Sequence, residues 1–307
     1  RLEKYANENY PLLQLKFACS PENLRLGQAI KVFSDPDRVI IGVRSDATKI
    51  PLLELLRPIT DKVEWMSIES AEMTKHAINA FLATSITFTN ELASICEQVG
   101  ANAKEVERGL KTEVRIGSKA YVSPGGPFAG GTLARDIGFL CALASDSDLI
   151  TPIISSVRVS NDEHKNWARK KLIQHFGSLH NITVAVWGLT YKPGTNTLRR
   201  STAVELCDWI LSEGGAIKVF DPVVEDLPTN WGKDVSRCSS GKGALEGADV
   251  LVVATEWPEL KEIALDTTPD ELVNMLVVDA NGFLKAILAD KAMKYYVVGE
   301  NILEGSM

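Results

Sequence analysis

The stretch Val184-Ala185-Val186-Trp187-Gly188-Leu189-Thr190-Tyr191-Lys192-Pro193-Gly194 decides the fold. Its first four residues are apolar without alternation, the pattern of a strand covered on both faces. The glycines and proline that follow carry the chain into a loop, and from about Ser201 through Ala203–Leu211 the pattern is helical. Runs of the same kind recur at Ile217–Phe220, Val250–Ala254, Leu276–Asp279 and Tyr296–Val298, with helical patterns between them. Strands and helices in alternation predict a parallel, Rossmann-like sheet over 178–307.

Upstream the period changes. Thr132–Asp146 and Pro152–Phe176 read as helices, and Ser70–Val99 as a longer one, with Met73, Ala77, Ala80, Phe81, Thr84, Ile86, Phe88, Leu92 and Ile95 at helical spacing and no Gly or Pro before Gly100. One neighbouring helix cannot cover a face that wide, so a homodimer built on this helix is expected. The region 69–177 is therefore read as an all-α domain, with dimerisation expected through it. Before it, strand-like runs at Leu15–Ala18 and Arg38–Val43 and a helical run at Ile50–Leu56 form the C-terminal remnant, over 1–68, of a first doubly wound domain. The opening residues read as a helix end entering a strand with nothing earlier to pair with, the expectation for a fragment. The fold class is α/β, with an all-α middle.

With 307 residues, 45% hydrophobic and 24% charged, the chain has core material for more than one domain and the balance of a soluble globular protein. No run approaches the length of a membrane span, and no signal sequence opens the chain, so a cytoplasmic protein is expected. A net charge of -7 with dispersed Lys and Arg argues against nucleic acid as partner. Cys19, Cys96, Cys141, Cys207 and Cys238 have no CxxC spacing, which suggests neither a disulfide framework nor a metal site, and most are expected to be buried.

Lys75 and Asn79 lie four apart and share a helix face. A lysine among apolar neighbours loses proton affinity and can exchange a proton at neutral pH, and an adjacent amide can hold an oxygen. Spacing alone favours the plainer reading, a solvated lysine beside a surface amide. The loop Ser123-Pro124-Gly125-Gly126-Pro127-Phe128-Ala129-Gly130-Gly131 brings backbone close to a ligand, with Asp136 one turn after Thr132 on the same side. A tight connection with Asp136 as an early-helix acid fits as well. Lys192 and Arg199 put charge at a strand–loop–helix crossing, where nucleotides bind, although no GxGxxG is present.

In order along the chain, Ser20-Pro21-Glu22-Asn23-Leu24-Arg25-Leu26-Gly27, Pro36–Gly42, Lys75-xxx-Asn79, Asn90-Glu91, Arg115-Ile116-Gly117, Gly125–Asp136, Gly188–Pro193 and Phe220-Asp221-Pro222 resemble the UDP-glucose and GDP-mannose dehydrogenase family. The ordered set is far more specific than any member. The resemblance implies an NAD-binding Rossmann domain, a helical dimer domain and a nucleotide-sugar domain, and oxidation of the 6-hydroxyl of a UDP-hexose or related nucleotide sugar with NAD, for polysaccharide precursors. It implies Lys75 as acid/base, Asn79 and Asp136 as its partners in holding water and the reacting oxygen, and Glu22 as a further acid. It also implies Arg115 reaching a sugar nucleotide in the neighbouring subunit, Phe128, Tyr191 and Lys192 at the substrate, and Arg199 at the cofactor pyrophosphate.

Where the family's loop reads approximately GPGFGGSCFPKD, this chain has Gly125–Asp136 with Thr132 at the place of the nucleophilic cysteine. A hydroxyl is far less acidic than a thiol of pKa about 8.5 and without an adjacent base is a poor nucleophile. The thiohemiacetal and thioester route loses its nucleophile, and Thr132 is expected to line the sugar pocket instead. Cys141 falls on another side of the helix and is expected in the core. Leu26, Asn196-Thr197 and Asp279-Ala280-Asn281 stand where the family tends to have a second Glu, an acidic pair and Asp-Gly-Arg. Two further readings follow from Thr132: a single oxidation that stops at the aldehyde, or a nucleotide-sugar-binding protein that has lost catalysis.

Overall fold

The computed structural model describes residues 2–13, 15–22, 29–292 and 294–300. The Asn23–Gly27 part of the sequence pattern, Leu26 included, lies outside the described residues. Two compact units are present, 1–79 and 80–307.

In the first unit, helix α1 (Leu2–Asn9) precedes strand β1 (Ala18–Cys19), and helix α2 (Ala29–Ser34) precedes strand β2 (Val39–Val43). Helix α3 (Lys49–Leu56) and strand β3 (Val63–Met66) follow, and then helix α4 (Ile68–Val99), which is 32 residues long and runs on into the second unit. Strand β2 lies between β1, antiparallel, and β3, parallel. Of the expected strand Leu15–Ala18 only Ala18 lies in β1, whose ladder among the described residues is Ala18 with Val43 and Cys19 with Gly42. Ile40 and Ile41 are buried in β2.

The helical part of the second unit continues with α5 (Ala103–Thr112), α6 (Thr132–Asp146), α7 (Pro152–His164) and α8 (Asn166–Phe176). The run Pro152–Phe176, expected as one helix, is two. They part at Lys165, whose backbone keeps helical angles (φ -57°, ψ -26°). The remainder is β4 (Thr183–Trp187), α9 (Thr202–Ser212), β5 (Ala216–Phe220), β6 (Val235–Arg237), α10 (Gly241–Leu245), β7 (Val250–Val253), α11 (Glu259–Asp266), α12 (Pro269–Leu272), β8 (Leu276–Val278), α13 (Lys285–Leu288) and β9 (Lys294–Tyr296).

These strands form one parallel sheet in the order β6-β5-β4-β7-β8-β9, so the expected α/β class with a Rossmann-like sheet is what the chain adopts. Alternate residues of each strand feed two cores. Val184, Val186, Val250 and Val252 pack with Leu172 of α8, Ile210 of α9 and Ala93 of α4. Ala185, Trp187, Leu251 and Val253 pack on the other face with Leu260 of α11, Leu272 of α12 and Leu288 of α13. At the sheet edges one strand was missed and the bounds of another need correction. The strand β6, with one partner and the polar pair Ser236-Arg237, carries no apolar run to announce it. The last strand ends at Tyr296, not Val298, because β8 offers only Leu276–Val278 to pair with.

Cys96 and Cys207 are buried, but Cys19, Cys141 and Cys238 are partly exposed, so burial of most of the cysteines does not hold. Cys141 sits at the margin of the small core of Ala83, Phe128, Ile137 and Val157. No helix among the described residues is long and apolar enough to cross a membrane.

Candidate active site

In the first unit, Lys75 and Asn79 lie one turn apart on α4, and the Lys75 ammonium is 3.7 Å from the Glu22 carboxylate. An ammonium and an acid that the resemblance assigned to one site are thus neighbours. The Lys75 side chain retains 25% of its exposure. The turn after β2, Arg44-Ser45-Asp46-Ala47-Thr48, has no glycine, and Arg44 is engaged by Glu3 and Glu69. Gly42 lies inside β2, where a Cβ would come within 2.6 Å of the Ile68 Cα, so its smallness serves strand–helix packing. This crossing does not fit a dinucleotide pyrophosphate, which needs a glycine-rich turn opening onto a helix N-terminus.

In the second unit, the glycine-rich loop connects the end of α5 to α6. Its neighbours come within van der Waals distance: a Cβ on Gly125 would lie 2.1 Å from Asn281 Oδ1, and one on Gly131 would lie 2.1 Å from the Tyr191 hydroxyl. The glycines were expected to bring backbone close to a ligand, and the groups that come close in the structure are the protein's own Asn281 and Tyr191. Phe128 is buried in the small core with Ile137 and Val157, and Asn161 bonds both its N–H and its C=O. Its ring anchors the loop as well as bordering a hollow beside it.

Thr132 is the first residue of α6 and is exposed, while Asp136, one turn on, is buried and lies 3.7 Å from the Arg135 guanidinium. The helix begins on Gly131 without a capping side chain, leaving first-turn N–H groups to other acceptors.

Two hollows flank the loop and share Gly126, Pro127, Glu256 and Asn281 as a wall. One, of about 310 Å³, lies where the strand order reverses between β4 and β7 and is bordered by Tyr191, Lys192, Arg169 and the start of α9. The other, of about 700 Å³, is bordered by Lys104, Lys111, Lys119, Tyr121, Phe128 and Leu133. Glu107 accepts hydrogen bonds from Lys111 and Ser123, which together hold its carboxyl below the usual range against its partial burial. Glu256 shows the opposite effect: burial, and then the nearby Asp279, push its pKa up.

The Asp221 of the Phe-Asp-Pro motif explains that motif. Its carboxylate accepts from the N–H groups of Leu189, Thr190, Val223 and Val224 and from the Trp257 indole, pinning the loop that presents Tyr191 and Lys192. Arg199 is exposed, and its neighbour Arg200, which sequence reasoning passed over, donates to the Gly130 carbonyl at 3.0 Å. Arg115 is exposed and paired with Glu113 of its own loop. Also passed over were Asn161 and His164. Their signal was faint: Val157, Asn161 and His164 follow at i, i+4 and i+7, which puts two polar residues on a core-facing stripe.

Residues 69–163 match the model of the UDP-glucose/GDP-mannose dehydrogenase family, central domain, and residues 185–286 match that family's UDP binding domain. The chain is 32% identical over 292 residues to a UDP-glucose 6-dehydrogenase of Rickettsia typhi, covering 93% of this chain and 67% of that protein. It is 31% identical to the UDP-glucose 6-dehydrogenase of Rhizobium meliloti, covering 97% and 70%. A UDP-glucose dehydrogenase from the archaeon Pyrobaculum islandicum superposes with a TM-score of 0.86 at 26% identity, over 97% of this chain and 67% of that one. The chain thus spans about two-thirds of the length of these relatives. By sequence and by fold, the chain belongs to the UDP-glucose/GDP-mannose dehydrogenase family of nucleotide-sugar oxidoreductases.

Proposed function

We propose that the chain acts in the oxidation of the 6-hydroxyl of a nucleotide-bound hexose, UDP-glucose being the first candidate, and that the reaction runs without a covalent enzyme intermediate. The observation that carries the reading is the glycine-rich loop, bordered by two hollows with Lys192 in one and Lys104, Lys111 and Lys119 in the other. Cations around close-approaching backbone suit a diphosphate, and the apolar Tyr121, Phe128 and Leu133 suit a base or sugar ring. The relatives' names put UDP-glucose first among such ligands.

In this reading Lys75 takes the hydroxyl proton, with Glu22 beside it and Asn79 holding the reacting oxygen or a water. Asp136 is a further acid of the reaction. Thr132 contributes packing and polarity at the start of α6 but no nucleophile, because its hydroxyl stays protonated where a thiol would ionise. A carbonyl-level product, the aldehyde or its hydrate, is therefore released. NAD is the hydride acceptor implied by the family, supplying two-electron oxidation when bound, and Arg199 is its proposed contact in this chain.

The domain division at about 68 and 177 belongs to the same proposal, as does a homodimer through α4. Phe81, Phe88 and Ile95, spaced seven apart, are 71%, 54% and 58% exposed and form one apolar stripe that a second copy would cover. A Phe88→Asp chain should sediment as a monomer.

The site reading is tested by titrating UDP-glucose into the chain and into Lys192→Ala. Saturable binding to the parent, at least about tenfold weaker in the variant, supports it, since a charge-assisted contact is worth about 1.5–3 kcal/mol. Equal binding by both places the ligand elsewhere.

A further inference from the structure

The loop is held by side chains where a loop of this kind usually bonds to backbone or water. Gly125 N–H donates to Asn90 Oδ1 at 3.0 Å, and Gly125 C=O lies 2.8 Å from His164 Nε2. Gly126 N–H donates to Asn281 Oδ1 at 2.7 Å, and Gly126 C=O accepts from Asn90 Nδ2 at 3.3 Å. Phe128 N–H donates to Asn161 Oδ1, and Phe128 C=O accepts from Asn161 Nδ2, both at 2.9 Å. Pro127 has no N–H. Thus every backbone N–H and C=O of Gly125, Gly126 and Phe128 meets one of four side chains, and none pairs with another backbone group among the described residues.

Such an arrangement runs against local preference. Asn90 and Asn161 are 2% and 3% exposed and sit inside α4 and α7, where asparagine is a poor helix former and a buried amide is costly unless its hydrogen bonds are met. Here each amide meets a loop N–H with its oxygen and a loop C=O with its nitrogen, imitating a strand neighbour. His164 is kept below its usual pKa chiefly by burial, so at neutral pH it is the uncharged ring. An apolar core would stabilise the helices as well. What the polar set adds is a single loop conformation.

We propose that Asn90, Asn161, His164 and Asn281 are positioning residues that hold Gly125–Phe128 ready for the nucleotide sugar, so that the ligand meets a preformed wall and orders nothing on arrival. This rests on the site reading above. Asn281 gives the set a particular meaning in this chain, since it stands where the family tends to carry arginine and is committed to the loop and not to a charge on the ligand.

The test is Asn161→Asp, which keeps the shape and the acceptor but loses the donor to Phe128 C=O. At pH 7.5, amide exchange at Gly125, Gly126 and Phe128 is expected to accelerate about tenfold or more, and UDP-glucose to bind about tenfold more weakly, with β4 and β7 as protected as in the parent. A buried carboxyl is readily protonated and regains a donor, so both differences should shrink towards zero relative to the parent as the pH is lowered towards 5. A purely structural defect would not recover on acidification. Unchanged loop exchange refutes the clamp, and faster exchange with unaltered affinity refutes its role in binding. If the parent itself does not bind UDP-glucose, the site reading fails and the role in binding falls with it, while loop exchange still decides whether the side chains hold the loop. Should Asn161→Asp not fold, Asn281→Ala at the open side of the loop makes the same comparison of exchange and affinity.

Discussion

Substituting Gly125 by alanine should destabilise the chain, and by an amount that depends almost wholly on one other residue. The new Cβ would lie 2.1 Å from Asn281 Oδ1 and 3.2 Å from its Cγ, so rotating the amide alone does not clear it and the whole side chain must leave its rotamer. That displacement costs about 0.5–1.5 kcal/mol and breaks the Gly126–Asn281 bond, worth about 1 kcal/mol, so Gly125→Ala is expected to cost roughly 2 kcal/mol. In an Asn281→Ala background the nearest remaining Asn281 atom is Cα at 3.7 Å, an ordinary contact. Gly125 does not have a positive φ, so alanine there should be tolerated and stabilise by about 0.4–1 kcal/mol through the unfolded chain. The substitution therefore changes sign between backgrounds. Urea unfolding of the four proteins, at constant m, measures this directly. Additive effects, or a neutral Gly125→Ala in the parent, would refute the argument that Asn281 is packed against this loop.

Three other expectations follow from the same geometry. Gly299 has φ +78° and a Cβ there would meet the Ala103 Cβ at 2.3 Å and the Ala93 Cβ at 2.9 Å, so Gly299→Ala should cost about 2–5 kcal/mol in urea unfolding. His164 has its folded pKa lowered by burial, so it binds protons more readily unfolded; its contribution is intact above about pH 6.5 and is lost as the pH falls through the lower folded value. His164→Gln, which can still donate to Gly125, should therefore lose less melting temperature between pH 7.5 and 5 than the parent. In the protein with a complete cofactor domain, Thr132→Ala should retain most of the first oxidation while Lys75→Ala loses it; a Thr132→Ala protein as inactive as Lys75→Ala would restore Thr132 to a chemical role.

What the sequence made legible was what periodicity and order can carry. The switch from helical to strand period near Gly177, the start of α9 near Ser201 and the length of α4 were readable from residues, because burial on one face or two leaves a repeat. The edge strand β6 left none, since one neighbour and solvent impose no apolar pattern. The site was legible unevenly. Glu22 and Lys75, a sequence separation that no local pattern links, were brought together only by the family resemblance, and the structure puts them side by side. The clamp of Asn90, Asn161, His164 and Asn281 was not readable, because a buried amide looks like a surface amide until the partner loop is known. Phe128, expected at the substrate, owes its burial to that same loop packing.

Whether oxidation proceeds without a thiol is measured most directly by the NADH formed per UDP-glucose consumed by the protein extended to the length of its relatives. Oxidation without a thiol should give one NADH per sugar, an aldehyde or its hydrate as product, and no sugar bound covalently to Thr132. Two NADH per sugar with a covalent adduct on Thr132 would contradict it.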